Sequence, residues 1–372
     1  MNSKLPKNFF DKHNLLLLCG SGGVGKTTIS AALALKAALM GYKTLVLTID
    51  PAKRLATSLG IGTITGKPKR IDASLFNKKE DEFFLEAMML DPKSTFDDLV
   101  KQYSPSKEIE SKILNNAIYQ HLSQMIAGSQ EYMAMEKLYE VVSTGSYEVV
   151  VIDTPPATHA IDFLEAPQRM INALNHSMIH LLLKPALAIG KSGFKLFEKG
   201  SQVVLKLFDR ITGFAFLQDI SEMLISFKEL LGGFTERAEQ VKVILDNKKT
   251  AFLLVGACEY ASVREATSFY QSLKKLGYSL KGILMNRVYP DYKIKNEARV
   301  KSDEKLQAQV GAPLAKKMIT VYEEGVYMAK RSADLMGELQ GQIQDIDFLI
   351  QIPQMKNDIH NLDGLLSLCD QI

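Results

Sequence analysis

The sequence predicts an α/β fold with a doubly wound, mostly parallel β-sheet and helices on both of its faces. Three observations support this fold class: short apolar segments without polar alternation, a strand–helix–strand unit near the amino terminus, and an ordinary globular composition. Of the 372 residues, 46% are hydrophobic and 23% are charged, which excludes disordered, collagen-like and coiled-coil chains. Strands that helices cover on both faces are typically short and continuously apolar.

The first strand–helix–strand unit begins at residue 15. The apolar run 15–19 leads into a glycine-rich turn, and the Ala- and Leu-rich segment 28–40 predicts a helix that ends at Gly41. A second apolar run, 44–49, is typical of a buried parallel strand. Two strands joined by such a crossover helix form a βαβ unit, so the sheet is predicted to be parallel here.

The rest of the chain contains further strands and two long helical stretches. Four apolar segments predict strands: 148–152, 251–257, 282–286 and 348–352. The helical stretches, about 81–142 and about 160–247, are longer than simple crossovers require. We therefore assign both to an inserted helical subdomain on one side of the sheet. No internal repeat is visible, so residues 1–372 are predicted to form one domain.

Charge and cysteine content exclude several classes of function. The 45 basic and 42 acidic side chains give a net charge of +3, which indicates no attraction to nucleic acid or anionic membranes. Cys19, Cys258 and Cys369 are far apart in sequence, so a disulfide framework and a cysteine-ligated metal site are not expected. No apolar run reaches the roughly 18 to 20 residues of a membrane span. Without a signal-peptide core at its amino terminus, the protein is predicted to be cytoplasmic.

A phosphate-binding loop is the strongest motif in the chain. Residues 20–27, Gly-Ser-Gly-Gly-Val-Gly-Lys-Thr, match the pattern GxxxxGK[ST] between a predicted strand and a predicted helix. Glycines let backbone N–H groups point at phosphate oxygens, and the helix presents its positive end. Lys26 would neutralise β- and γ-phosphate charge, and the Thr27 hydroxyl would bind Mg²⁺. The predicted nucleotide-binding residues of this loop are Gly22, Gly23, Val24, Gly25, Lys26, Thr27 and Thr28.

Two aspartates follow predicted strands that lie beside this loop. Asp50 comes directly after the strand 44–49, at the sheet edge where ligands bind in open α/β folds. It could orient the attacking water or accept its proton, so Asp50 and Lys26 are the predicted catalytic residues. Asp153 ends the apolar segment before Thr154, which is the Walker B arrangement, with the carboxylate acting on Mg²⁺ through water.

These motifs resemble the ArsA/Get3 family of deviant-Walker P-loop ATPases. The matching blocks run in order along nearly the whole chain: residues 20–27, 49–55, 153–164, 285–287 and 352–353. The resemblance implies a single-domain P-loop NTPase of the SIMIBI type that hydrolyses ATP with Mg²⁺. It also implies a homodimer in which the two phosphate loops face each other.

The resemblance further implies roles for individual residues. The residues that it places in two nucleotide-responsive switch segments are Asp50 and Pro51 in the first and Asp153, Thr154 and His159 in the second. Asn286 would hydrogen-bond the adenine, with the loop at Pro353 packed beside it. His159 could couple nucleotide state to helix position, or it could be an ordinary packing histidine.

One position departs from the family pattern. Family members usually carry a lysine where this chain has Ser21, and that lysine reaches the nucleotide of the partner subunit. Its loss weakens the electrostatic stabilisation of phosphoryl transfer. Lys53 or Arg54 could substitute for it, or both could simply be solvated surface residues. The three separated cysteines cannot form the arsenite-binding thiolates or the zinc clamp of other family members.

Three functions remain open at this point. The first is a nucleotide-switched targeting factor or holdase that captures an apolar helix of a client protein. The second is an energising subunit for a membrane permease or a metabolite-handling partner. A positioning ATPase of the MinD or ParA type is a third, weaker alternative.

Six methionines could line a client groove or simply pack the helices: Met125, Met133, Met135, Met170, Met178 and Met223. We interpret His176 and His180 as non-ligands, because no His-Glu-x-x-His motif is present.

Overall fold

An eight-stranded sheet forms the centre of the protein. The computed structural model describes residues 4–50, 54–104, 106–116, 119, 130–175, 233–290, 305–355, 359 and 361–372. Its strands are β1 (Leu15–Gly20), β2 (Thr44–Thr48), β3 (Lys69–Arg70), β4 (Leu85–Met89), β5 (Val149–Asp153), β6 (Thr250–Ala257), β7 (Leu280–Val288) and β8 (Phe348–Pro353). They lie in the order β3-β4-β2-β5-β1-β6-β7-β8, and only the β3–β4 pair is antiparallel. The predicted α/β fold with a mostly parallel sheet is confirmed.

The six predicted strands correspond to β1, β2 and β5 to β8, whereas β3 and β4 were not expected. The helical stretch expected from about residue 81 is therefore wrong at its start, because residues 85–89 form β4 and the first helix after it begins at Pro92. Leu, Glu, Ala and Met favour helices as single residues. Here parallel pairing with β2, from Thr44 opposite Leu85 to Thr48 opposite Met89, overrides that preference.

Helices cover both faces of the sheet. Their bounds are Phe9–Lys12, Lys26–Leu39, Arg54–Ser58, Pro92–Tyr103, Lys107–Asn115, Gln130–Ser143, Ala157–Asn175, Tyr260–Lys275, Ala312–Gln342 and Leu362–Gln371, with a 3₁₀ helix at Ala73–Phe76. Residues 233–246 and 305–310 are also helical. Of the second long helical stretch, 160–175 and 233–246 are helical as expected, and 176–232 lie outside the described residues. The inserted subdomain stays a prediction.

Two hydrophobic layers, one on each face of the sheet, form the core. Alternate residues of β1 belong to different layers: Leu15 and Leu17 to one, Leu16 and Leu18 to the other. All four are essentially inaccessible to solvent, as expected for a strand between two helical layers. Within the parts of the chain that the structure describes, none of the helices is long and apolar enough to cross a membrane.

A buried ion pair joins the helix Gln130–Ser143 to the helical segment 233–246. Arg237 Nε lies 2.5 Å from Glu136 Oε2, and both side chains are almost fully buried. The guanidinium also stacks on Tyr103, with its centre 4.1 Å from the ring centroid. Burial raises the pKa of Glu136 to about 7, and Arg237 only partly offsets this increase. Desolvation of the carboxylate therefore outweighs its attraction to the arginine.

This carboxylate should make stability depend on pH. Its folded-state pKa of about 7 lies above the ordinary value of 4.5, so between these pH values the folded state binds more protons than the unfolded state. The free energy of unfolding should consequently fall as pH rises from about 5 to about 7, by up to roughly 1.4 kcal/mol for each pH unit. Urea unfolding of Glu136→Gln should lack this slope. Glu140→Gln, which changes an exposed carboxylate on the same helix, should retain it; equal slopes in all three proteins would contradict the assignment.

Candidate functional site

The phosphate loop is fixed to the sheet at both ends and open in its middle. A Cβ atom at Gly20 would lie 2.0 Å from the carbonyl oxygen of Val255, so the loop can leave β1 this close to β6 only as glycine. Gly25 has φ +96°, and a Cβ there would meet Asn286 Nδ2 at 2.5 Å. In the part of the chain that the structure describes, no atom beyond the neighbouring residues lies within 4 Å of the Cβ positions of Gly22 and Gly23, and both glycines are exposed. The open stretch offers backbone N–H groups to an incoming anion.

Lys26 begins the helix after the loop, and its amine folds back over the loop. The Nζ atom donates hydrogen bonds to the carbonyl oxygens of Gly20 at 2.9 Å and Ser21 at 2.8 Å. Burial lowers the pKa of Lys26, and the carboxylate of Asp153 opposes this effect. Val24 and Thr27 are buried, whereas Thr28 is half-buried. A positive charge is thus held at the loop by two backbone carbonyls.

Asp153 accepts hydrogen bonds from hydroxyl groups of two neighbouring elements. Its Oδ2 accepts from Thr27 Oγ1 at 2.7 Å and from Thr48 Oγ1 at 2.8 Å, and Ser30 Oγ lies 3.5 Å from Oδ1. The carboxylate is inaccessible to solvent, and burial raises its pKa. Sequence reasoning missed Thr48 and Ser30. The signal for Thr48 was its position, since the last residue of β2 pairs directly with the last residue of β5.

Two of the predicted switch residues, Asp50 and Thr154, lie close to Asp153. Asp50 is half-buried just beyond β2, where its carbonyl oxygen lies 3.4 Å from Thr48 Oγ1. Thr154 Oγ1 donates to the carbonyl oxygen of Leu18 at 2.7 Å, which ties the end of β5 to β1. His159 lies in the first turns of the helix Ala157–Asn175 with 61% of its side chain exposed, so it is not a buried packing residue. Pro51 lies outside the described residues.

Asn286 lies against the phosphate loop, and Pro353 lies at the same edge of the sheet. Asn286 Nδ2 donates to the carbonyl oxygen of Val24 at 2.9 Å, and its Oδ1 accepts from the N–H of Arg287 at 3.0 Å. Arg287 has φ +57°, and the pairing of β7 with β8 shifts register between Met285 and Val288, so the strand is irregular just past Asn286. Pro353 pairs with Val288 at the carboxyl end of β8. The structure thus brings both residues to the edge that carries residues 20–27.

The donor groups at this edge suit a magnesium–nucleotide complex. Mg²⁺ prefers oxygen ligands and usually takes only one or two of them from protein carboxylates, because water and phosphate supply the rest. The Thr27 hydroxyl and the Asp153 carboxylate already contact each other. The exposed glycines and the buried amine of Lys26 supply the complementary donors for phosphate oxygens.

The remaining predicted features are the cysteines, a basic pair after Asp50, two histidines and six methionines. Cys19, Cys258 and Cys369 are free and buried, and burial raises the pKa of Cys19 to about 12. Arg54 is exposed at the start of a short helix, while Lys53, His176 and His180 lie outside the described residues. Met133 and Met135 are buried and Met170 is half-buried, so the first two pack within the protein. Met125, Met178 and Met223 lie outside the described residues.

Comparison with known proteins gives consistent matches. A family model described as an anion-transporting ATPase, ArsA_ATPase, matches residues 13–320. An ATPase get3 from Aspergillus terreus is 28% identical over 273 residues, covering 72% of this chain and 71% of that protein. An ATPase ASNA1 homolog 2 from Paramecium tetraurelia is 27% identical over 369 residues, covering 98% and 95%. A putative arsenical pump-driving ATPase from Prosthecochloris vibrioformis is 22% identical over 355 residues, covering 92% and 79%.

Proposed function

Because this chain belongs to the ArsA ATPase family and is an ATP-hydrolysing enzyme, we propose that hydrolysis switches a homodimer between states that bind and release an apolar protein segment. The observation that carries this proposal is the hydrogen bond between Thr27 and Asp153. It joins the phosphate loop to β5, and β5 leads through residues 154–156 into the helix Ala157–Asn175. A change in the ligand of Thr27 would therefore act at the start of that helix.

The residues at the site have distinct tasks in this proposal. Backbone N–H groups of 22–27 and the Lys26 amine would hold the phosphates, so Lys26 would exchange its carbonyl partners for phosphate oxygens. Thr27 and Asp153 would hold Mg²⁺, which supplies positive charge to the phosphates when bound. Asp50, next along the chain from β2, would orient the attacking water and accept its proton. Asn286 and Pro353 would border the adenine.

The helix Ala157–Asn175 would pass a change at the nucleotide site to the helices that it contacts. Its exposed His159 Nδ1 lies 3.9 Å from Glu131 Oε1, a residue of the helix Gln130–Ser143. That helix is in turn joined to the segment 233–246 by the buried pair of Glu136 and Arg237. These side-chain contacts thus connect three helical segments, one of which is the helix that follows Asp153. A shift of one helix can be passed to the others because packed interfaces do not deform continuously.

The client proposal can be tested by capture from native lysate. Asp50→Asn, held in Mg·ATP, should retain proteins with exposed apolar helices and release them in ADP. The matched control is Lys26→Ala, which should capture the same amount with or without ATP. Failure to enrich proteins with apolar helices, or equal capture in ATP and ADP, would contradict the proposal.

A second candidate function is supported by the family description and by the name of the Prosthecochloris relative. In this alternative the chain energises a membrane permease or a metabolite-handling partner. The three buried cysteines provide no exposed thiol for arsenite in the part of the chain that the structure describes. Recovery of one stoichiometric membrane protein in the same capture experiment would favour this alternative over a broad set of clients.

Thr48 should affect the Mg²⁺ concentration that ATP hydrolysis requires. If Thr27 turns to the metal ion, Thr48 remains as a hydroxyl donor that orients the Asp153 carboxylate. Thr48→Val removes that donor with little change of shape, and the Mg²⁺ concentration for half-maximal ATP hydrolysis should rise about tenfold. Thr48→Ser keeps the hydroxyl and should restore the wild-type value. If valine and serine variants show the same Mg²⁺ dependence, Thr48 has no positioning role.

A further inference from the structure

The helix Ala312–Gln342 carries one continuous face that is covered in one half and exposed in the other. Positions on this face recur with alternating spacings of four and three residues, the pattern of a helix that packs along another helix: Leu314, Met318, Val321, Gly325, Met328, Ser332, Leu335 and Leu339. The last three positions are buried in the domain, at 2%, 8% and 0% exposure. The first three are 50%, 46% and 67% exposed.

The topology places the exposed half near the edge that carries the phosphate loop. The helix connects the parallel strands β7 and β8, so it runs antiparallel to them and its carboxyl end lies near the start of β8. Its 31 residues span about 46 Å at roughly 1.5 Å per residue, against about 20 Å for the six residues of β8. The amino-terminal half of the helix therefore extends to the carboxyl edge of the sheet or past it.

We propose that this exposed half packs antiparallel against the same helix of a second copy of the chain, with Leu314, Met318 and Val321 at the contact. This proposal rests on the homodimer proposed above and assigns it a contact outside the nucleotide site. Two helices that extend from facing edges run in opposite directions past each other. A twofold axis between them makes the contact self-complementary, since each residue meets its counterpart reciprocally.

Charges beside the apolar face select the antiparallel orientation. Lys317 and Glu324 are seven residues apart, so both lie on the same flank of the face. In an antiparallel pair, like flanks meet, and Lys317 of each copy lies opposite Glu324 of the other. In a parallel pair, Lys317 would instead lie opposite the uncharged Tyr322. Gly325, which has no side chain, lets the two backbones approach closely at this level.

The first test is the mass of the protein in sedimentation equilibrium without nucleotide. The wild-type chain should be a dimer, and Val321→Glu should raise the dimer dissociation constant at least about 100-fold because it buries two carboxylates. Val321 is so exposed that the variant should fold normally, which its thermal unfolding would verify. A dimer that Val321→Glu leaves unchanged would overturn the helix contact while keeping the homodimer. A wild-type chain that is monomeric without nucleotide and dimeric with ATP would likewise overturn the helix contact while keeping the homodimer. A chain that is monomeric under all conditions would overturn both proposals.

The second test uses charge reversal to establish orientation. Lys317→Glu and Glu324→Lys should each weaken self-association about tenfold or more, because like charges then face each other twice. An equimolar mixture of the two variants should form heterodimers with close to wild-type affinity, since every facing pair is again opposite in charge. Lys316→Glu makes the same charge change away from the face and should leave the mass unchanged. A mixture that associates no better than the separate variants would overturn the antiparallel contact.

Discussion

Replacing Lys26 with alanine should remove most of the affinity for ATP. The amine lies buried at the phosphate loop, bonded at 2.9 Å and 2.8 Å to backbone carbonyls, and no other side chain of residues 20–27 is cationic. Hydrogen bonds from a charged donor contribute about 1.5–3 kcal/mol each. The dissociation constant for ATP, measured by isothermal titration calorimetry, should therefore rise about 100-fold.

A lysine on the same helix provides the control for this substitution. Lys36 lies ten residues further along and donates to the carbonyl oxygen of Cys369 at 2.9 Å, on the side that packs against the carboxyl-terminal helix. Lys36→Ala also removes one partly buried amine contact, so it controls for general loss of stability. It should leave ATP affinity unchanged. Equal ATP affinities for Lys26→Ala and the wild-type protein would refute the assignment of the phosphate loop.

Asp50→Asn should bind ATP and Mg²⁺ but hydrolyse ATP at least about 100-fold more slowly. Asparagine keeps the size of the side chain and loses the ability to accept a proton from water. General base catalysis typically contributes a factor of about 10² to 10⁴, so the effect should fall on the rate of a single turnover. Rapid-quench measurement with enzyme in excess over ATP separates that rate from nucleotide release.

The control for this carboxylate is Asp81→Asn, which makes the same change at an exposed loop residue before β4. Its single-turnover rate should equal that of the wild-type protein. If Asp50→Asn also hydrolyses ATP at close to the wild-type rate, Asp50 has no part in proton transfer or water positioning. A loss of ATP affinity equal to the loss of rate would instead indicate a role in ground-state binding.

The sequence predicted the inner strands of the sheet well because their signal is strong. Segments such as 149–152 and 251–257 are continuously apolar, which is typical of a strand that is covered on both faces. β4 is a strand although its residues favour a helix. Its polar residue Glu86 has a partner, because its carboxylate accepts a hydrogen bond from Tyr147 Oη at 2.5 Å. That partner is 61 residues away, so no local pattern could reveal it.

The candidate site was partly predictable for a related reason. The phosphate loop is a contiguous motif, and its glycine, lysine and threonine positions are apparent in eight residues of sequence. The hydroxyl groups around Asp153 come from different elements, and Thr48 is 105 residues from the carboxylate that it contacts. Pairing of β2 with β5 brings them together. Only the strand order, which composition and spacing do not determine, would have indicated Thr48 as a site residue.

Fluorescence anisotropy measures most directly whether nucleotide state controls affinity for an apolar segment. The probe is a labelled peptide of about 20 apolar helix-forming residues, titrated with Asp50→Asn in Mg·ATP and in Mg·ADP. The dissociation constants of the peptide should differ at least about tenfold between the two nucleotides. Because coupling is reciprocal, saturating peptide should change the ratio of ATP to ADP affinity by the same factor. Equal peptide affinities in ATP and ADP would show that nucleotide state does not control binding of an apolar segment.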